Sequence, residues 1–139
     1  MAANLQSTPI FRTTHLGYQG GMQSLIVHFS DATTLLNLRA LCKNSEETAI
    51  SYLPLADVRL EVAANMGNTQ LILAKIVRRD SYFTALLVAA AGGISNTECG
   101  HSCGNPASST HPFTECIRVA NYQGGACATC IWKSHAARC

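Results

Sequence analysis

The distribution of cysteine constrains this chain more than any other feature. Six of its seven cysteines lie in the last 41 of 139 residues. They are Cys99, Cys103, Cys116, Cys127, Cys130 and Cys139. The residues between them are rich in Ser, Thr, Asn, Gly and Pro, so apolar burial alone cannot fold this segment. We therefore expect cross-links through the sulfurs, either metal ions or disulfides.

The spacing of these cysteines favours zinc over disulfides. Cys127 and Cys130 are separated by two residues, and Cys99 and Cys103 by three, which are gaps typical of pairs of zinc ligands. One zinc could take the two pairs and leave Cys116 and Cys139 as packing residues. Alternatively, all six cysteines could hold two zinc ions through shared sulfurs. Disulfides and a redox-active thiol are the less favoured readings.

The remaining candidate ligands have weaker support. His101, His111 and His135 lie within or beside the cysteine block, but we do not expect any of them to replace a cysteine as ligand. His15 and His28 stand far from other ligand types and are interpreted as packing or loop residues. Cys42 is isolated as well, and we interpret it as a small buried apolar residue.

The sequence predicts an intracellular protein, nuclear or cytoplasmic. The first 25 residues lack the basic start and continuous apolar run of a secretory signal. The apolar stretch at 83–91 is about half the roughly 20 residues needed to span a bilayer, so it predicts a buried helix. Thiols stay reduced inside the cell, where clustered cysteines hold metal more often than they pair.

Hydrophobic patterning predicts a mainly α fold with three regions. Residues 1–21 are expected to be a flexible arm, 22–93 a helical region, and 94–139 a small, irregular, cysteine-rich zinc-binding module. Ser24–Phe29 fits either a short strand or the lead-in to a helix. Start signals at Ser30 or Asp31 and at Asn44 predict two helices.

The segment after Leu55 carries the strongest helical pattern. Apolar residues recur there at steps of three and four, and the pattern continues to the alanines at 89–91 before Gly92-Gly93 ends it. Gly67-Asn68 interrupts it, and Asn68 or Thr69 could cap a new helix there. The segment therefore predicts a helical hairpin, with one long kinked helix as the alternative.

The cysteine block resembles a family of uncharacterised fungal proteins with a C-terminal cysteine-rich domain of unknown function. The motifs that carry the resemblance are Pro112-Phe113-x-x-Cys116, Gly125-Ala-Cys127-x-x-Cys130 and Arg138-Cys139. They cover about a third of the chain, residues 95–139. The resemblance implies zinc binding and no established activity.

Charge and ligand type narrow the function to a non-catalytic zinc module for protein contact, with an unknown partner. Residues 99–139 hold Arg118, Lys133 and Arg138 against Glu115, a net of +2 that bound zinc thiolates would cancel. Proteins that read DNA need a surplus of positive charge, so a zinc-cluster DNA-binding or transcription-associated protein is the alternative and not the first choice. A disulfide-stabilised secreted protein is a further alternative. Catalysis is not expected, since cysteine would saturate the zinc.

Overall fold

A computed structural model describes residues 10–94, 112–113 and 116–134. Within these residues, a three-stranded antiparallel sheet and five α-helices share one apolar core. The elements in chain order are β1 (Thr13–Gln19), β2 (Met22–Val27), α1 (Ala32–Leu41), α2 (Ser45–Ser51), β3 (Val58–Ala63), α3 (Thr69–Arg78), α4 (Asp80–Ala91), β4 (Gly93–Ile94), β5 (Ile117–Arg118) and α5 (Ala128–Trp132), with 3-10 turns at Ala64–Met66 and Gln123–Gly125.

The prediction of a mainly α fold is wrong, because the structure is 48% helical and 22% strand. Residues 55–66, expected to be helical, contain β3. Val58, Leu60 and Val62 are buried there and Arg59 is exposed, which is the alternation of a strand. Residues four apart share a face in a helix and in a strand, so Val58 and Val62 fit both patterns. Leu60 fits only the strand, and the β-branched valines favour it further. Neither a helical hairpin nor one kinked helix occupies 55–91.

Strands β1 and β2 form a hairpin around a two-glycine turn. Gly20 and Gly21 have φ of 58° and 78°, the left-handed values that a tight hairpin turn requires and that glycine adopts without strain. Gln19 pairs with Met22 across the turn, and β2 then pairs antiparallel with β3. All of β1 lies in the segment 1–21, for which the sequence predicts a flexible arm. β2 confirms the strand alternative for Ser24–Phe29.

Three helices begin where the sequence places their start signals. Asp31 accepts a hydrogen bond from the backbone of α1, and Asn44 does the same for α2. Asn68 caps α3 by accepting from the Leu71 amide at 2.9 Å. These side chains satisfy amides that have no partner within the helix, which fixes where each helix starts.

Helix α4 forms the centre of the core. Its residues 83–90 are all buried, and it packs against α2, α3, α5, β3 and β5. The prediction of a buried helix that ends before Gly92 is confirmed. Among the described residues, no helix is both long and apolar enough to cross a bilayer.

Candidate functional site

The structure brings together the three predicted ligand cysteines that lie among its described residues. Cys116, Cys127 and Cys130 are 5%, 0% and 0% exposed and form a cluster separate from the main apolar core. Cys116 lies just before β5, Cys127 just before α5, and Cys130 within α5. A β-bridge between Arg118 and Cys127 holds the two segments side by side. Cys116 is therefore buried together with Cys127 and Cys130, which follow it by 11 and 14 residues in the chain.

Arg118 contacts this cluster directly. Its Nη2 donates to the Cys116 sulfur at 3.4 Å, and its Nη1 donates to the Gly125 carbonyl at 3.3 Å. A guanidinium that donates to sulfur stabilises a thiolate more than a thiol, and the thiolate is the form that binds metal. The three buried cysteines thus have the guanidinium of Arg118 beside them.

The other predicted ligands, Cys99, Cys103 and Cys139, lie outside the described residues. So do the lower-ranked histidines at 101, 111 and 135. Within the described residues, no three His, Cys, Asp or Glu side chains are grouped as a metal site. Cys42 and the three clustered cysteines are not joined to one another by disulfides. Burial raises the pKa of the half-buried Cys42 thiol, which packs against the main core as predicted.

Aromatic contacts fasten the cysteine block to α4. The Trp132 ring stacks on Tyr82 with centroids 3.8 Å apart and an interplanar angle of 7°. Phe113 meets Trp132 edge-on at 5.9 Å, and its carbonyl accepts from the Thr129 hydroxyl at 3.1 Å. The Pro112 carbonyl accepts from the Glu61 amide of β3 at 2.8 Å. The block is therefore continuous with the core of the preceding residues.

Two adjoining surface cavities lie beside this aromatic stack. Their volumes are about 540 and 570 Å³, and both are lined by Ala63, Met66, Arg79 and Tyr82. We call them together the basic groove. Its described cationic lining residues are Lys75, Arg78, Arg79 and Lys133, against one carboxylate, Glu61. Arg79 lies over the Tyr82 ring at 4.7 Å, so cations and aromatic surface are interleaved.

A buried carboxylate links α2 to α4. Glu47 is 2% exposed and accepts from the Thr84 hydroxyl at 2.8 Å. Its other oxygen accepts from the Lys43 amide at 2.9 Å and lies 3.3 Å from the Lys43 ammonium. The bonds from Thr84 and Lys43 satisfy the Glu47 carboxylate where it is out of reach of water, so we assign it a structural role. Burial also raises the pKa of the nearby Tyr122 hydroxyl.

A further cluster, which the sequence analysis missed, lies at one end of the sheet. The imidazole Nε2 of His28 is 2.7 Å from the Thr14 hydroxyl, and its Nδ1 is 3.0 Å from Asp57. Asp57 also accepts from the Ser30 amide at 3.2 Å, and the bond to His28 is the main cause that lowers the Asp57 pKa. His28 is therefore partnered on both sides, and its interpretation as a lone packing or loop residue is incomplete.

Strand pairing brings this cluster together. Thr14 belongs to β1, His28 follows β2, and Asp57 precedes β3, so their positions in the chain are 14 and 29 residues apart. The register pairs Val27 with Val58, which places the next positions outward, His28 and Asp57, opposite each other. Recognition of the hairpin signal at Gly20-Gly21 and of β3 would have been needed to find it.

The C-terminal part of the chain is similar to one sequence family. Residues 85–139 match the family model described as a protein of unknown function, DUF3716. The match covers less than half of the chain and includes the cysteine block with the second half of α4. No curated protein and no solved structure matches the chain.

Proposed function

We propose that residues 94–139 form a non-catalytic zinc-binding module that serves protein contact, inside the cell in the nucleus or cytoplasm. The observation that carries this proposal is the separate buried cluster of Cys116, Cys127 and Cys130. The cysteine motifs also resemble those of a fungal family with a C-terminal zinc-binding domain, and we include membership of that family in the proposal.

The chemistry of the donors supports zinc. Thiolates are preferred ligands of structural Zn²⁺, which takes four of them in a tetrahedron. Three buried sulfurs with a guanidinium beside them provide part of such a set. These sulfurs are not grouped as a metal site by themselves, so the proposed site takes further ligands from Cys99, Cys103 or Cys139. Zinc would supply the cross-link that the polar composition of the block requires.

The basic groove supports protein contact. Four cations and one carboxylate are found among its described lining residues, and Met66 and Tyr82 add apolar surface. A segment of another protein with acidic and apolar side chains would match both properties, because complementary charge guides docking while apolar contacts hold the complex. The partner class we propose is therefore an acidic, partly apolar peptide segment.

Metal content tests the zinc proposal. We expect one or two zinc ions per purified chain and seven thiols titratable after denaturation without reductant. Cys130→Ser should lose zinc and shift the emission of Trp132, the sole tryptophan, which lies two residues away. Cys42→Ser is the matched control and should keep its full zinc content. A metal-free protein with few titratable thiols would overturn the proposal in favour of disulfides.

Charge reversal in the groove tests protein contact. A fluorescent peptide rich in glutamate and leucine should bind the wild-type chain, and Lys75→Glu with Arg78→Glu should weaken it without loss of zinc. Arg39→Glu, on α1 and outside the groove lining, is the control. If a mixed-sequence DNA duplex binds instead, with steep salt dependence, nucleic-acid binding replaces protein contact.

A further inference from the structure

We propose that Thr14, His28 and Asp57 form a nucleophilic site that hydrolyses small carboxylic esters. A hydroxyl, an imidazole and a carboxylate are joined in a row by bonds of 2.7 and 3.0 Å. This is the arrangement in which a histidine activates a hydroxyl and a carboxylate orients the histidine. The site belongs to the sheet and uses no cysteine, so it is independent of the zinc proposal.

The hydrogen bonds determine which imidazole nitrogen carries the proton. The bond from His28 holds the pKa of Asp57 below its usual value, so at neutral pH Asp57 is an acceptor only. Nδ1 of His28 must then donate to it, and in the tautomer that carries its proton on Nδ1 alone the lone pair of Nε2 faces the Thr14 hydroxyl. The Ser30 amide holds the second oxygen of Asp57 at 3.2 Å and keeps the carboxylate in place. His28 is thus oriented as a general base towards Thr14.

The reaction we infer has two balanced steps. Thr14 Oγ1 bonds to the ester carbonyl carbon while His28 Nε2 takes the hydroxyl proton. The bond from that carbon to the alcohol oxygen breaks, and the alcohol leaves with the proton from His28. Water then gives a proton to His28 and attacks the acyl carbon. Thr14 leaves as the restored hydroxyl with that proton, and the carboxylic acid is released.

A surface cavity beside the row provides room for a substrate. Its volume is about 440 Å³, and Arg12, Thr14, His28, Ser30 and Asp31 line it. This volume suits a small ester. Thr14 is exposed, as a nucleophile must be. Arg12, which lies 3.6 Å from Asp31 and is 73% exposed in its side chain, and Ser30 both line this cavity, and the proposal assigns them as donors to the oxyanion.

The test uses the full chain and p-nitrophenyl acetate. We expect hydrolysis above the buffer background, and an acetylated Thr14 peptide when the reaction is quenched early and mapped by mass spectrometry. Thr14→Val and His28→Asn should lower kcat/KM by about a hundredfold or more, the lower end of general-base contributions. Thr14→Ser should retain activity because it keeps a hydroxyl.

Controls separate chemistry from structure. Thr33→Val changes an exposed threonine on α1 outside the cavity lining and should hydrolyse like the wild type. Asp57 acts through His28 as a positioning residue, so Asp57→Asn should lower kcat and leave KM nearly unchanged. Circular dichroism checks that each variant folds. If a variant does not fold, acetylation of Thr14 in the wild-type chain decides whether the proposal holds. Absence of acyl-Thr14, or equal rates in the wild type and a folded Thr14→Val variant, overturns the proposal.

Discussion

Replacement of Thr84 by valine would remove one hydroxyl from the buried contact between α2 and α4 and keep the shape of the side chain. Thr84 is 6% exposed and donates at 2.8 Å to Glu47, which is itself 2% exposed. Water cannot easily replace the lost donor at that depth. A hydrogen bond to a charged group contributes about 1.5–3 kcal/mol, so we expect the free energy of unfolding to fall by about 2 kcal/mol.

The assay is urea unfolding followed by Trp132 fluorescence, with a thermal melt as a second measure. For a chain of this length, each kcal/mol corresponds to roughly 4 °C, so Tm should fall by about 8 °C. Thr48→Val is the matched control. The Thr48 hydroxyl also donates, to the Asn44 carbonyl at 3.0 Å, but at an exposed position where water can take its place. The free energy of unfolding of Thr48→Val should therefore stay within about 0.5 kcal/mol of the wild-type value. Equal losses in the two variants would refute the argument.

Three further predictions concern backbone packing, pH and capping. Gly92→Ala should lower the free energy of unfolding by about 1–3 kcal/mol or more, because the added Cβ would lie 2.5 Å from the Arg118 carbonyl oxygen. A Cβ at Gly93 meets nothing within 4 Å, so Gly93→Ala should be nearly neutral. The pKa of Asp57 is lowered from 3.8, so the contribution of its carboxylate to stability is present above pH 3.8 and is lost as the pH falls below that value. In that range the free energy of unfolding should fall less steeply with pH in Asp57→Asn than in the wild type, as measured by urea unfolding at several pH values. Asn68→Ala should cost about 1 kcal/mol in the free energy of unfolding, measured by urea titration, since it removes the cap of α3; no change would contradict the capping role.

The two proposals rest on different parts of the chain and fail independently. Loss of zinc should not alter ester hydrolysis directly, because no clustered cysteine touches the Thr14 row. Conversely, Thr14→Val should leave zinc content unchanged. A variant that loses both has lost the shared core, which joins the sheet, α4 and α5.

Local signals in the sequence correctly predicted the starts of α1, α2 and α3 and the buried helix. Asp31, Asn44 and Asn68 act through bonds within three residues, so their roles can be identified without knowledge of the rest of the chain. The same holds for the apolar run of α4. β3 replaces the predicted helix because Val58 and Val62 fit the periods of a helix and of a strand equally well, and only pairing with β2 favours the strand.

The sequence by itself determined where three of the helices start and which stretch is buried, whereas cross-links in the cysteine block stay a prediction. Each of these follows from side-chain chemistry at short range. Tertiary structure alone decided that Cys116 lies with Cys127 and Cys130, and that Thr14, His28 and Asp57 meet. These encounters depend on the register of strands and on the packing of α5 against α4, which arise only when distant segments share one core.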